Sequence, residues 1–199
     1  MTITRPISSA ALATGLALAL AGCVNLGGGK APPTLFTLTP TASLPAGETV
    51  SGSAESGLVV IEPETDRALA VQRVAVTIDA SNVAYLKNAQ WAERPGRLFQ
   101  HLLAETLRAR GGRLVFEDGE GSAAGRTRLA GRLLAFGYDA QSGAAVVRYD
   151  ALREGPGGSI MSRRFEASVP VGKADPKRVA PALNKAANTV AGQVADWVA

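Results

Sequence analysis

Apolar residues recur along this chain with more than one period, and each period predicts a different element. Over residues 95–110, "PGRLFQHLLAETLRAR", Leu98, Phe99, Leu102, Leu103 and Leu107 fall on one helical stripe. Pro95 suits the first turn of that helix, and Gly111-Gly112 supplies its stop. A second helix is predicted after Asp175, a good N-cap, with Pro176 at the first helical position. Its stripe of Val179, Leu183, Ala186, Val190, Val194 and Trp197 should lie on a sheet. Elsewhere the period is two. Val74, Val76 and Ile78 alternate within 71–79. Three later segments, "TRLAGRLLAFGYDA", "AAVVRYDALR" and "SIMSRRFEASVPV", are separated by Gln141-Ser142-Gly143 and "EGPGGS". They predict a three-stranded antiparallel meander with glycine-bearing turns. In the third segment Met161, Phe165, Ala167 and Val169 point one way, Arg164 and Glu166 the other. Short runs at 34–38, 58–63 and 113–117 predict further strands, the last making one α/β crossover with the helix before it. Residues 39–57 are rich in Ser, Gly, Thr and Pro and read as a long, mobile loop.

The N-terminal apolar run has no such period. Arg5 precedes "ISSAALATGLALAL", residues 7–20, which is shorter than the roughly 20 apolar residues of a membrane span. Residues 1–22 therefore read as a secretory signal peptide. It ends in Leu20-Ala21-Gly22-Cys23, a bacterial lipobox: small residues for a narrow protease cleft, then a thiol free to take diacylglycerol. Cys23 is the single cysteine, so it cannot close an internal disulfide. We expect it to be the first mature residue and the lipid attachment site, its acyl chains meeting the two-signal requirement for stable anchoring. Val24 rather than Asp follows, which by the sorting rule of enteric bacteria points to the outer membrane. Residues 23–33 form a lipidated tether, and 34–199 the folded domain.

Composition narrows the function. The net charge is +4, and arginines are scattered rather than gathered into a basic stripe with stacking aromatics, which argues against nucleic acid. His101, the single histidine, sits mid-helix beside Phe99 and Leu102 and reads as a helix-surface residue rather than part of a catalytic triad. One His and an acylated Cys do not make a transition-metal site. "FEDGEG", 116–121, lacks the alternating ligands of a calcium loop and reads as a solvated turn. No phosphate-cradling glycine motif opens a helix. These residues argue against an enzyme and call for no cofactor beyond the covalent lipid. Trp91, at a strand-to-helix junction, is expected to pack over the end of the core with its N–H on a carbonyl. A partner contact is the other reading, because Trp and Arg are favoured at interfaces. Tyr85, Trp91, Glu93, Arg94 and Arg97 form the candidate partner interface.

The lipobox, the tether and "LFTL" are followed by a Tyr-Leu-x-x-x-x-Trp-Ala-Glu run, a Leu-rich helix, "FGYDA", "VVRYDALR" and a late helix. This series resembles the ABC-type transport auxiliary lipoprotein family, the PqiC/YmbA-like group, over most of the mature chain. Here a proline follows Trp-Ala-Glu-Arg, displaced from the Trp-Ala-x-Pro form of relatives. The resemblance implies an α/β fold: a mixed, mostly antiparallel sheet flanked by two main helices in a sandwich-like α/β/α single domain. It also implies a non-enzymatic role beside an Mce-type ABC system that moves lipid between the inner and outer membranes, with a periplasmic Mce-domain subunit as partner. Self-association stays open. The alternative is a lipid-binding or envelope-assembly lipoprotein of the outer membrane. An apolar internal cavity would favour that reading, and a filled core with an exposed patch the first.

Overall fold

The computed structural model describes residues 34–53, 55–120 and 127–199. Cys23, the signal peptide and the tether lie outside the described residues. The elements run β1 Leu35–Phe36, β2 Leu58–Val60, β3 Glu64–Thr65, β4 Arg73–Thr77, β5 Val83–Trp91, α1 Pro95–Gly111, β6 Val115–Glu117, β7 Thr127–Asp139, β8 Ala144–Glu154, β9 Ile160–Pro170 and α2 Pro176–Val198. Among the described residues these strands form one mixed sheet. The long pairings are antiparallel, β7 with β8 and β8 with β9, as the alternation predicts. On its other edge β7 takes β2, β3 and β4 in turn, each in a short parallel stretch. β4 then pairs antiparallel with β5, and β1 pairs parallel with the end of β5.

The α/β class, the mixed sheet and the two helices are as expected; the layering is not. On β8, Ala145, Val147, Tyr149 and Ala151 are fully buried and alternate with partly exposed residues. Phe99 of α1 meets Tyr149 at a centroid distance of 5.3 Å, and Trp197 of α2 meets Phe165, the cross-strand partner of Tyr149, at 5.6 Å. Both helices therefore lie on one face, and the molecule has two layers rather than three. They also touch each other: Arg110 of α1 reaches the Gly192 carbonyl and, at 3.1 Å, Asp196 of α2. The other face of the sheet carries charged pairs, with a shallow groove bordered by Leu134, Val146 and Arg148 beside the 66–69 loop. Arg132, Asp150 and Arg164 line up across three strands there, and Arg148 pairs with Glu166.

The helix boundaries follow the sequence signals. Asp175 accepts from the Lys177 N–H at 2.8 Å, Pro176 opens α2, and Gly112 ends α1 in a left-handed conformation. Val179, Leu183, Ala186, Val190 and Val194 are fully buried, whereas Trp197 is half-buried. In β9, Phe165 is buried on the helix face, but Met161 extends past the helices and is exposed. Gly131 marks a crowded point. Its φ of +146° suits glycine, and a Cβ there would collide with the Asp150 carbonyl oxygen and the Tyr149 ring.

Two expectations change. First, 83–91 is a strand that the alternation does not announce. Arg73 faces Gln90 and Ala75 faces Tyr85, so residues 86–89 bulge opposite Val74 alone, with Asn88 at φ +57°. Second, the start of the 39–57 loop is tied down. The Thr39 and Thr41 N–H groups donate to Asn184 and Asn188 at 2.8 and 2.7 Å, and Asn188 returns a bond to the Thr39 carbonyl at 2.9 Å. The Leu44 N–H donates to Glu105 at 2.9 Å. This segment is a strap that laces α2 to α1.

Candidate functional site

The turn between β5 and α1 carries Glu93 and Arg94, with Trp91 at the end of β5 and Arg97 in the first turn of α1, and its geometry starts from the core beneath it. Trp91 is fully buried, with its ring 5.2 Å from Phe136 and 6.0 Å from Phe36. Its main-chain N–H donates to the Gln72 carbonyl at 2.7 Å. The expected hydrogen bond from the indole is not made: Nε1 finds no partner among the described residues. A fully buried ring cannot touch a partner, so Trp91 serves this surface as a foundation and not as a contact.

From Trp91 the chain emerges as Ala92, Glu93 and Arg94, all exposed, and then enters α1. Arg94 is extended, with φ −63° and ψ 143°, and makes no side-chain cap; Pro95 starts the helix without needing one. Gly96 lets the helix start approach the β2–β3 connection, where a Cβ would stand 3.1 Å from the Pro63 carbonyl oxygen. This approach brings Glu62 beside Arg94, at 3.8 Å. From the opposite side comes the 66–72 loop, pinned where Gln72 Nε2 donates to the Ala92 carbonyl at 2.7 Å. Glu62, Gln72, Glu93, Arg94 and Arg97 thus border one open cleft of about 770 Å³, floored by Ala70 and Val71.

The cleft's charges differ in commitment. Arg97 bonds to Gln100 at 3.0 Å and stands 3.7 Å from Asp118. Gln100 is fully buried and bridges to the Val60 carbonyl at 2.9 Å and to Asp118, so Arg97 belongs to a network holding α1 on β2 and β6. Arg94 is freer, with 60% of its side chain exposed. An exposed ion pair at that distance is worth under about 1 kcal/mol and exchanges readily for another partner. Tyr85 lies apart from the cleft. Its ring carries the Arg73 guanidinium at 3.7 Å, and its hydroxyl donates to the Ala68 carbonyl at 3.3 Å, bracing the 66–72 loop from behind.

The structure therefore gathers Glu93, Arg94 and Arg97 at one opening, places Trp91 beneath it and Tyr85 behind it. Glu62 and Gln72, which complete the opening, were not singled out from the sequence because they arrive from distant loops. His101 lies outside this cleft: its Nδ1 is 2.6 Å from Glu117, which also receives Arg108 at 3.5 Å.

The model of the ABC-type transport auxiliary lipoprotein component family matches residues 36–195. Among solved structures, protein XCC0632 from Xanthomonas campestris, described under the family model DUF330, superposes with a TM-score of 0.69. It is 19% identical, over 83% of this chain and 94% of that one. A crystal structure described as an uncharacterized protein gives a TM-score of 0.64 at 14% identity, over 83% of this chain and 100% of that one. At these identities the likeness concerns the fold. The search of curated proteins gave no match.

Proposed function

We propose a function that proceeds from one premise: this chain belongs to the family of ABC-type transport auxiliary lipoprotein components, whose model spans residues 36–195. It acts as a non-enzymatic partner protein of an ABC transport system. Lipid on Cys23 anchors it to the periplasmic face of the outer membrane, and the domain docks onto a periplasmic Mce-domain subunit of a lipid transporter. The family match carries this reading. Two features support the finer parts. Leu20-Ala21-Gly22-Cys23 supplies the anchor. The space between sheet and helices, where a lipid-binding reading would want a cavity, is occupied by Trp91, Phe99, Phe136 and Tyr149, all fully buried or nearly so.

Glu93, Arg94 and Arg97 form the docking lip. Charges at a rim steer encounter and fix register more than they add affinity. Replacing Arg94 by Ala should leave a folded protein that captures the Mce subunit more weakly, with most of the loss in association rate, whereas Arg97→Ala also gives up the bond to Gln100 and is read beside its melting temperature. Full-strength capture by a variant with unchanged melting would remove this lip from the interface. Cys23→Ala should abolish incorporation of labelled fatty acid; continued labelling would refute the anchor.

A further inference from the structure

The two ends of the sheet carry opposite chemistry. At one end the β4–β5 hairpin exposes Ile78 and Val83 beside Asp79, and Asp139 lies at the neighbouring β7–β8 turn. At the other end the β8–β9 hairpin exposes Ile160 and Met161, 65% and 52% accessible, on opposite faces of the strand: Met161 stands opposite Arg153, and Ile160 opposite Glu154, which Arg128 engages. Arg153 stands opposite Met161, and Arg163 opposite Ala151, so Arg153 and Arg163 are diagonal neighbours on one face of the two strands. Arg113, from the turn after α1, donates to the Val198 carbonyl at 2.9 Å. Burial, and after it the charge of Arg153, lower the Arg113 pKa.

The acids nearby are engaged elsewhere. Glu154 pairs with Arg128 at 3.4 Å, and Asp196 with Arg110 at 3.1 Å. Arg163 lies 5.1 Å over the Phe165 ring, in a surface cleft bordered by the half-buried Trp197. Like charges gathered this way are costly unless an anion joins them. An exposed apolar pair flanked by cations is the pattern of a segment that settles on an anionic bilayer.

We propose that the β8–β9 tip is a docking surface for an anionic phospholipid bilayer, with Arg153 and Arg163 on lipid phosphates and Ile160 and Met161 entering the interfacial layer. An acidic protein surface would satisfy the arginines but leave the two apolar side chains without a role. The tip does not depend on the N-terminal anchor, and its binding is local and reversible. The tether, residues 24–33, spans at most about 35 Å extended, which limits how far the anchor lies from the start of the domain.

The test places a fluorescent reporter at the tip by Ile160→Trp, in the full chain, reconstituted into vesicles of phosphatidylcholine alone or with one-third phosphatidylglycerol. Flotation reads attachment of the chain as a whole. Emission of the introduced indole, taken as the difference from the parent chain with its Trp91 and Trp197, and its quenching by brominated acyl chains, reads the tip. We expect a blue shift and quenching with phosphatidylglycerol and little of either without it. Arg153→Glu with Arg163→Glu should remove the anionic-lipid dependence, each arginine being worth about fivefold in binding, and raised salt should weaken it. Should the reversed charges disturb folding, Arg153→Gln with Arg163→Gln reads the same dependence. An indole unquenched on both vesicles while the protein floats, or quenching indifferent to phosphatidylglycerol and to the arginines, would overturn the proposal. So would an indole already shielded without lipid, which would mean that a second copy covers the tip.

Discussion

Replacing Trp91 separates a foundation from a contact. The ring is fully buried and touches Phe36 and Phe136, with centroids 6.0 and 5.2 Å away. Truncation to Ala removes this packing and leaves a cavity between β1, β5 and β7; large-to-small changes of this kind cost about 3–5 kcal/mol. The lost aromatic pairs, about 0.5–1.5 kcal/mol each, are part of that figure. One effect offsets it. Nε1 is buried without a hydrogen-bond partner among the described residues, a penalty of about 1–3 kcal/mol that leaves with the indole. Trp91→Phe keeps most of the packing and loses the orphaned donor, so it should be near neutral, within about 1.5 kcal/mol. Trp91→Ala should then cost about 3 kcal/mol or more, and lower the melting temperature by about 6–12 °C for a domain of this size. Urea unfolding of both variants gives the two values. A Trp91→Ala protein within about 1 kcal/mol of the parent, or a Trp91→Phe protein as unstable as Trp91→Ala, would refute this account of the core.

The strap makes a second prediction. Asn188→Ala removes the bonds to Thr39 and Thr41 and should cost about 1–2 kcal/mol, with faster amide exchange confined to 39–44; unchanged exchange there would show that the strap is held by other contacts. Acid supplies a third. The Arg164 guanidinium, at 2.5 and 2.7 Å, holds the Asp150 carboxyl below its usual range. Because the folded value is depressed, the stabilisation is present above the unfolded pKa and fades as pH falls through the folded one. Asp150→Asn should therefore flatten the fall of the melting temperature below about pH 4.

The meander and both helices were legible in the sequence because their signals are local. Alternation, interrupted in β7 by an irregularity between Leu133 and Ala135, sets β7, β8 and β9, and Asp175-Pro176 sets the start of α2. What escaped depends on residues far apart. Each helix announces one apolar stripe, but nothing in the stripe says which face of the sheet receives it. The contact between Arg110 and α2 at Gly192, where the missing side chain leaves room for the guanidinium, decides that both share a face. The strap has a loop's composition and is ordered by Asn184, Asn188 and Glu105, whose side chains look like ordinary helix polarity until the fold brings Thr39 and Leu44 to them. β5 is hidden by its own bulge, since Lys87 and Asn88 break the period of two. At the site, Glu93, Arg94 and Arg97 could be read together because they are consecutive or one helical turn apart. Glu62 and Gln72 could not.

The geometry of the ion pairs then separates surfaces made for water from surfaces made for partners. On the bare face of the sheet, Arg164 grips both oxygens of Asp150, and Arg148 holds Glu166 directly across the strands. Bidentate, directional pairs of this kind are committed to each other. They neutralise a face that is otherwise uncovered, and a partner arriving there would have to break them. At the mouth of the cleft Arg94 keeps Glu62 only at 3.8 Å, a contact that a carboxylate from another molecule could replace at little cost. At the hairpin tip Arg153 and Arg163 sit among acids already taken by Arg128 and Arg110. The sheet face is thereby the least suited of the three to docking, although it is the broadest. On the proposed readings, Arg94 offers the cleft to a protein, and Arg153 and Arg163, with Ile160 and Met161 at the same tip, offer the tip to a membrane.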